Sequence, residues 1–226
     1  PFLKILIIHG VTTNLGDALS SSVLFKRLRE ISDIIDFSGY PSQPSKGSDI
    51  MLQYTNSYLP VNPYALSLRL LRRLPFPLRW KTYGPFWEFK RTNLFRQYDV
   101  LVTMPGPYAK YDERLLSALL DLDIARSCGI PFIFPSNSIG PLDDWQVERI
   151  KYADLIVARE PATHQYLTHF GVDSHPSADC GFLFNLNSVK WIDYATQFGR
   201  DYIVVFFRYN NLALSSIQRD GNRIYY

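Results

Sequence analysis

Short apolar runs alternate with longer amphipathic segments along this chain, and that alternation is what most limits its fold. Apart from Lys4, the runs at residues 3–8 and 100–103 are too uniformly apolar for strands with one face in water. Strands buried on both faces, each followed by a helix, are typical of parallel sheets covered by helices. The sequence therefore predicts an α/β fold with a mostly parallel sheet.

The same pattern gives the order of the predicted elements. Strands are predicted at residues 3–8, 34–37, 100–103, 132–134, 155–158 and 202–207. Helices are predicted from about residue 17 to 30 and at residues 113–127, 143–152, 160–171 and 188–198. The first helix carries an apolar stripe of Leu19, Val23, Leu24, Leu28 and Ile31. In such sheets, functional loops follow the carboxyl ends of the strands.

Composition excludes several classes of protein. Charged residues make up 20% of the chain and hydrophobic ones 46%, which is unlike a disordered tail. No apolar run approaches the roughly 20 residues that a membrane-spanning helix needs. A net charge of +3 does not indicate a nucleic-acid partner. Two cysteines cannot form a four-cysteine zinc site, and the four histidines lack metal-ligand spacing, so no metal site is predicted.

The length exceeds one typical domain of about 150 residues. We expect an N-terminal lobe over residues 1–199. Residues 200–226 would then form the first strand and the start of a C-terminal lobe that is otherwise missing.

A basic and aromatic insert at residues 60–96 breaks the alternation of strands and helices. One acidic residue, Glu88, accompanies its basic side chains, which are Arg69, Arg72, Arg73, Arg79, Lys81, Lys90, Arg91 and Arg96. The insert is interpreted either as a surface for peripheral contact with anionic lipid or as a packed excursion whose arginines point to solvent. We favour the second interpretation.

The loop after the first strand is suited to binding an anion. Gly16 permits a sharp turn, and the start of the next helix presents free N–H groups. Asp17 either caps this helix or acts on a substrate hydroxyl, and Asn14 lies in the same loop. The Gly-x-Gly-x-x-Gly fingerprint is absent, and no cofactor is predicted.

Polar side chains also follow later predicted strands. Ser136, Asn137 and Ser138 follow a buried strand, where they either hydrogen-bond a sugar or phosphate or form an ordinary turn. Arg159 and Arg208 each end an apolar strand, where a planar guanidinium matches a carboxylate or phosphate. The alternative for Arg159 is a structural ion pair with a neighbouring carboxylate.

Two further loops have a structural interpretation that we favour. Gly106 lies between two prolines in a rigid turn, where its backbone also permits close approach of a ligand. Asp179 is expected to cap the turn that follows it, and a role in a binding cleft is the alternative.

Taken in order, these loops resemble those of the polysaccharide pyruvyl transferase family. The resemblance rests on Asn14-x-Gly16-Asp17, Ser138-Ile139-Gly140-Pro141, Ala153-Asp154-x-Ile156-x-x-Arg159-Glu160, Tyr166-Leu167-x-x-x-Gly171 and Ala178-Asp179. It spans residues 3–208 and is strongest over residues 130–184.

The resemblance implies a GT-B-like transferase with its active site between two Rossmann-like lobes. It implies transfer of a pyruvyl group from phosphoenolpyruvate to two sugar hydroxyls, which forms a pyruvate ketal and releases phosphate. The implied acceptor is a cell-surface polysaccharide or its lipid-linked precursor. The implied location is the cytoplasm, with peripheral contact at the inner face of the membrane.

For that chemistry we expect Arg159 and Arg208 to hold the anionic groups of the donor. Asp17 and Asn14 would position or deprotonate sugar hydroxyls, and the general acid would lie in the missing lobe.

The chain also departs from the family pattern. The usual Gly-Gly-Gly-type loop is Pro105-Gly106-Pro107 here, and the usual Arg-Asp is Arg159-Glu160. Two other functions stay open, a GT-B-type glycosyltransferase that uses a nucleotide sugar and a non-catalytic sugar-binding lobe.

Overall fold

The computed structural model describes residues 3–10, 15–39, 55–60, 91–109 and 113–183. The strands are β1 (Lys4–Gly10), β2 (Ile34–Gly39), β3 (Ser57–Pro60), β4 (Val100–Thr103), β5 (Gly106–Tyr108), β6 (Phe132–Ile139), β7 (Leu155–Ala158) and β8 (His175–Pro176). The helices are α1 (Leu15–Leu28), α2 (Glu113–Cys128), α3 (Asp144–Ile150) and α4 (Pro161–His169), followed by a 3₁₀ helix at Cys180–Leu183. Residues 91–95 are helical as well.

These strands form one parallel sheet, as predicted. Its order is β3-β2-β1-β4-β6-β7-β8, and β5 pairs with the carboxyl half of β6. β1 therefore lies between β2 and β4, an arrangement typical of Rossmann-like sheets. Because the described pairs are parallel, the carboxyl ends of β4, β6 and β7 lie at one edge of the sheet.

Apolar side chains cover both faces of the sheet. One cluster contains Phe132, Phe134 and the predicted inward face of α2, which is Leu115, Leu116, Leu119, Leu120 and Leu122. The other cluster packs α1 on β1 and β2 through Phe25, Ile7 and Phe37. The prediction for Ile31 is wrong: α1 ends at Leu28, and Ile31 is 65% exposed beyond it.

Polar residues directly ahead of three strands fix the pairing of those strands with their neighbours. The carboxylate of Asp99 accepts the Lys4 N–H at 2.8 Å, and its own N–H donates to the Lys4 carbonyl at 2.9 Å. Asp154 does the same with Phe132, at 2.8 and 3.0 Å. Asn56 forms the equivalent pair of bonds ahead of β3. These bonds set the register of the sheet at its amino edge.

The described end of the basic insert differs from the favoured interpretation. Arg91 does not point to solvent: it is 7% exposed. Its Nη2 and Nε donate to the Asp121 carboxylate at 2.7 and 3.1 Å, and its Nη1 donates to the Ser38 hydroxyl at 3.1 Å. The acidic partner of Arg91 lies on α2, outside the insert, so a count of the charges within the insert does not include it. Arg96 is exposed, as expected, and residues 61–90 lie outside the described part of the chain.

A buried tyrosine ties the edge of β2 to the segment before β4. The Tyr98 hydroxyl donates to the Asp36 carboxylate at 2.6 Å, and the Ser57 hydroxyl donates to the same carboxylate at 2.7 Å. Burial, with a further contribution from the bond to Asp36, raises the pKa of Tyr98 well above its usual range.

Gly140 connects the end of β6 to α4. Its φ is +121°, and its N–H donates to the Tyr108 carbonyl at 3.0 Å. A Cβ at this position would lie 2.9 Å from the ring of Tyr166. The ring is held at its far end, because the Tyr166 hydroxyl accepts the Leu142 N–H at 2.6 Å. Only a residue without a side chain fits between backbone and ring.

We expect Gly140→Ala to lower the free energy of unfolding by about 2–4 kcal/mol, because it adds a steric collision to a strained backbone. Gly129→Ala is the matched control. Gly129 has a φ of +69°, but a Cβ there would meet no atom within 4 Å among the residues that the structure describes, and the expected loss is about 1 kcal/mol. Urea denaturation followed by circular dichroism measures both variants. Equal losses would contradict the collision with Tyr166.

Candidate functional site

β6 extends further than the sequence predicts, and this changes the setting of three candidate residues. The strand ends at Ile139, so Ser136, Asn137 and Ser138 lie within it rather than in a free loop. Its pairing with β7 shifts register between Phe134 and Asn137, and Ser136 has a φ of +48°. This irregularity is a β-bulge, which re-aims the side chains that follow it.

Ser136 uses its hydroxyl inside the protein. The side chain is 5% exposed, and its Oγ accepts the Cys180 N–H at 2.9 Å. The same hydroxyl lies 3.5 Å from the Ala178 carbonyl, to which it donates. Ser136 thus fastens the loop that carries Asp179 to the carboxyl half of β6.

Asn137 supports the turn between β4 and β5. It is fully buried, and its Nδ2 donates to the carbonyls of Met104 at 2.9 Å and Gly106 at 3.2 Å. Within the described part of the chain, its Oδ1 has no hydrogen-bond partner. The structure therefore places this amide beneath the turn, where it braces the backbone.

The turn that Asn137 supports is not a simple rigid turn, because Gly106 begins the short strand β5. Gly106 has a φ of +145°, and a Cβ added to it would meet no atom of the described residues within 4 Å. The predicted close approach of a ligand to this backbone is therefore sterically open, although the residue itself is buried.

Arg159 is the centre of the polar cluster at the carboxyl end of β7. Its Nε donates to the Ser138 hydroxyl and lies 3.3 Å from Glu160 Oε2, and its Nη1 donates to Asp179 Oδ2 at 3.1 Å. The Ser138 hydroxyl donates in turn to Glu160 Oε2 at 2.9 Å. The structural ion pairs that were the alternative interpretation of Arg159 are thus present.

These contacts use only part of the Arg159 guanidinium. The side chain is 25% exposed, and no described residue accepts a hydrogen bond from its Nη2. A guanidinium has five N–H donors in one plane. The Nη1–Nη2 end of Arg159 therefore retains donors for a bidentate contact with a carboxylate or phosphate.

Asp179 caps the 3₁₀ helix that follows it, as predicted. Its Oδ1 accepts the Gly181 N–H at 2.8 Å. The same oxygen accepts the hydroxyl of Ser20, on α1, at 2.9 Å. One carboxylate thereby joins α1, the 3₁₀ helix and Arg159.

Cys180 lies beside this carboxylate with its thiol turned inward. The Sγ donates to the Ser20 carbonyl at 3.2 Å. Burial is the main cause of a raised pKa for this thiol. A thiol with a raised pKa is a poor nucleophile near neutral pH, so the inward contacts of Cys180 indicate a structural residue.

The remaining predicted site residues are described only partly or not at all. α1 begins at Leu15, so Gly16 and Asp17 lie in its first turn. The N-cap alternative for Asp17 is therefore wrong, because an N-cap precedes the first helical residue. Asn14 and Arg208 lie outside the described residues, as do the predicted elements at 188–198 and 202–207 and the boundary near residue 199.

The structure brings four predicted residues together: Ser136, Ser138, Arg159 and Asp179. Sequence reasoning missed Ser20, whereas the contact of Arg159 with Glu160 corresponds to the structural ion pair given as the alternative for Arg159. The signal for Ser20 is its position three residues after Asp17, one helical turn along α1.

The described residues offer neither a cluster of metal ligands nor a membrane-spanning helix. They contain no group of three or more histidine, cysteine or acidic side chains arranged to hold a metal ion. None of their helices has the length and apolar character needed to cross a bilayer.

Comparison with known proteins gives a family and a fold. A family model described as polysaccharide pyruvyl transferase matches residues 14–225. The crystal structure of HepE from Anabaena in complex with UDP has a TM-score of 0.50 and 12% identity, over 78% of this chain and 44% of HepE. No curated protein sequence matches the chain significantly. The likeness to HepE confirms the fold, a GT-B-like parallel α/β lobe.

Two further solved structures are similar at lower scores. MurG from Acinetobacter baumannii has a TM-score of 0.44 and 14% identity, over 84% of this chain and 47% of MurG. UGT2 from Phytolacca americana, complexed with UDP-2-fluoro-glucose and pterostilbene, also has a TM-score of 0.44 and 14% identity, over 70% of this chain and 48% of UGT2. The chain spans less than half the length of each of these three structures.

Proposed function

The chain belongs to the polysaccharide pyruvyl transferase family, and we propose on that basis that it transfers a pyruvyl group from phosphoenolpyruvate to two hydroxyls of a sugar. The product is a cyclic pyruvate ketal on a cell-surface polysaccharide or its lipid-linked precursor, and inorganic phosphate is released.

The observation that supports this proposal most directly is the partly engaged guanidinium of Arg159 at the carboxyl edge of the sheet. Phosphoenolpyruvate carries a carboxylate and a phosphate, each of which accepts paired N–H donors. Arg159 is oriented by Ser138 and Asp179, and no described residue accepts from its Nη2. We assign this end of the side chain to an anionic group of the donor, with Arg208 as the second cation.

The acceptor is proposed to bind at the start of α1. Ser20 is one helical turn after Asp17 and donates to Asp179, which in turn contacts Arg159. This series of contacts supports a single site in which Asp17 and Asn14 meet the sugar hydroxyls while Arg159 holds the donor. Gly106 would permit close approach of the ligand from the neighbouring turn.

The proposed reaction forms two C–O bonds at C2 of phosphoenolpyruvate and breaks one. One sugar hydroxyl oxygen bonds to C2 of the enolpyruvyl group, and the methylene carbon takes up a proton to become a methyl group. The second hydroxyl bonds to the same C2, and the bond from C2 to the phosphate oxygen breaks. A base removes the two hydroxyl protons, a role that we assign to Asp17; one of them balances the proton that the methylene carbon takes up, and the other leaves with the phosphate.

The test is ³¹P NMR of phosphoenolpyruvate incubated with the protein and a panel of oligosaccharides that contain galactose or mannosamine. We expect the phosphate ester signal to be replaced by that of inorganic phosphate, with a new ketal methyl signal in the ¹H spectrum. Both signals must depend on the acceptor, because hydrolysis alone gives phosphate without a ketal.

Two results would contradict the proposal. Release of UDP from a UDP-sugar, with phosphoenolpyruvate left intact, would indicate the nucleotide-sugar alternative. Absence of heat on titration with millimolar phosphoenolpyruvate, together with absence of turnover, would indicate a non-catalytic lobe.

A further inference from the structure

We propose that Asp179 is a positioning residue, which holds the Arg159 guanidinium in the orientation that binds the anionic donor. The inference rests on the proposed function, and it assigns Asp179 a role distinct from contact with the substrate. The two carboxylate oxygens of Asp179 have different partners: Oδ1 accepts from Ser20 and Gly181, and Oδ2 accepts from Arg159.

Oδ1 anchors the carboxylate. It accepts the Gly181 N–H at 2.8 Å and the Ser20 hydroxyl at 2.9 Å, from two different elements of the fold. The space around it is filled, because a Cβ on Gly181 would lie 3.0 Å from Ser20 Oγ and 3.1 Å from Asp179 Oδ1. The loop is fastened again one residue later, where the Cys180 N–H donates to Ser136. A carboxylate held in this way cannot swing toward a substrate without breaking the cap of the 3₁₀ helix.

Oδ2 is then a fixed acceptor for Arg159. It takes one N–H of Nη1 at 3.1 Å, while Ser138 takes the Nε–H from the other edge of the guanidinium. Two fixed acceptors on different edges determine the plane of the group. The donors that remain, on Nη2 and the second position of Nη1, then point in a set direction.

The competing role for Asp179 is that of an internal anion that occupies Arg159 until the donor displaces it. The two roles predict opposite effects of removing the negative charge. An internal competitor, once removed, leaves Arg159 more available and tightens donor binding. A positioning residue, once removed, leaves the guanidinium free to rotate and weakens donor binding.

Asp179→Asn separates these roles. The asparagine Oδ1 still accepts from Gly181 and Ser20, so the cap is retained, but its NH₂ cannot accept from Arg159. We expect the dissociation constant for phosphoenolpyruvate, measured by calorimetry, to rise about tenfold, the effect typical of one lost charge-assisted hydrogen bond. Asp173→Asn removes the same charge at an exposed position six residues earlier and is expected to leave the constant unchanged.

A second measurement does not need a bound donor. The NMR signal of the Arg159 Nε–H is identified by its loss in Arg159→Lys. We expect this hydrogen to exchange with water faster in Asp179→Asn than in Asp173→Asn. Alkylation of Cys180, in a background where Cys128 is serine, should stay at the wild-type rate in Asp179→Asn and rise in Asp179→Ala, which loses the cap.

Unchanged or tighter binding of phosphoenolpyruvate by a folded Asp179→Asn variant would overturn the inference. So would an unchanged exchange rate of the Arg159 Nε–H. If the wild type binds no phosphoenolpyruvate at millimolar concentration, the proposed function fails, and the exchange rate still decides whether Asp179 orients Arg159.

Discussion

Asp121→Asn is expected to lower the free energy of unfolding by about 3–5 kcal/mol, because it removes the negative charge that faces the buried Arg91 guanidinium. The side chains of Arg91 and Asp121 are 9% and 0% exposed. A loss of this size is a large part of the total stability of a typical domain. Urea denaturation, with the midpoint and slope both fitted, measures it.

Glu30→Gln is the matched control, since it also converts a carboxylate of an ion pair to an amide. The Arg27–Glu30 pair has a similar N–O distance of 2.9 Å, but its side chains are 58% and 54% exposed. The expected loss there is below about 1 kcal/mol. Similar losses in the two variants would mean that burial does not determine how much the Arg91–Asp121 pair contributes to the free energy of unfolding.

Arg159→Lys is expected to reduce kcat/KM for phosphoenolpyruvate by at least about 100-fold. Lysine keeps the positive charge but presents a single ammonium group in place of the planar fork. It also cannot contact Ser138, Asp179 and the donor in one plane, as arginine can. Acceptor-dependent phosphate release measures the effect, and thermal unfolding of the same variant measures any loss of stability.

Arg126→Lys makes the same exchange of residue type outside the site. The Arg126 guanidinium lies 3.6 Å from the centroid of the Tyr152 ring and is exposed. We expect wild-type kinetics from that variant. A folded Arg159→Lys variant with wild-type kcat/KM would remove Arg159 from the proposed donor site.

Local sequence pattern predicts most of the described fold but not the path of β6. β4 and β7 have their predicted bounds, because each is a short apolar run that begins directly after an aspartate. β6 is predicted to end at Phe134, because Pro135 and the polar residues after it are typical of a turn. The strand continues because a bulge absorbs Ser136 and because β5 supplies a new partner for its carboxyl half. Neither the bulge nor the pairing with β5 can be recognised from the sequence of residues 132–139 alone.

The sequence predicts which residues of the candidate site lie at strand ends, but it does not predict which of these residues contact one another. Arg159 and Asp179 could be placed at the carboxyl edge, because that edge follows from the strand order. Arg159 and Asp179 contact each other across a sequence separation of 20 positions. The contact of Asp179 with Ser20 spans a separation of 159 positions. The same holds for Arg91, whose acid lies 30 positions away on α2. Contacts at such separations depend on how the elements pack.

The bonds of Asp154 with Phe132 have a consequence for how this lobe can evolve or be redesigned. β7 has only four residues, so its far end lies roughly 13 Å from its start. A slip of one residue along β6 would shift Arg159 by about 3.3 Å and turn alternate side chains to the opposite face. A substitution of Asp154 that allowed such a slip would thus move Arg159 out of the proposed donor site without touching any ligand. A chimera that carries Arg159 into another sheet should therefore include the whole segment 154–159. Its partner strand should offer a backbone N–H and carbonyl in the place of those of Phe132.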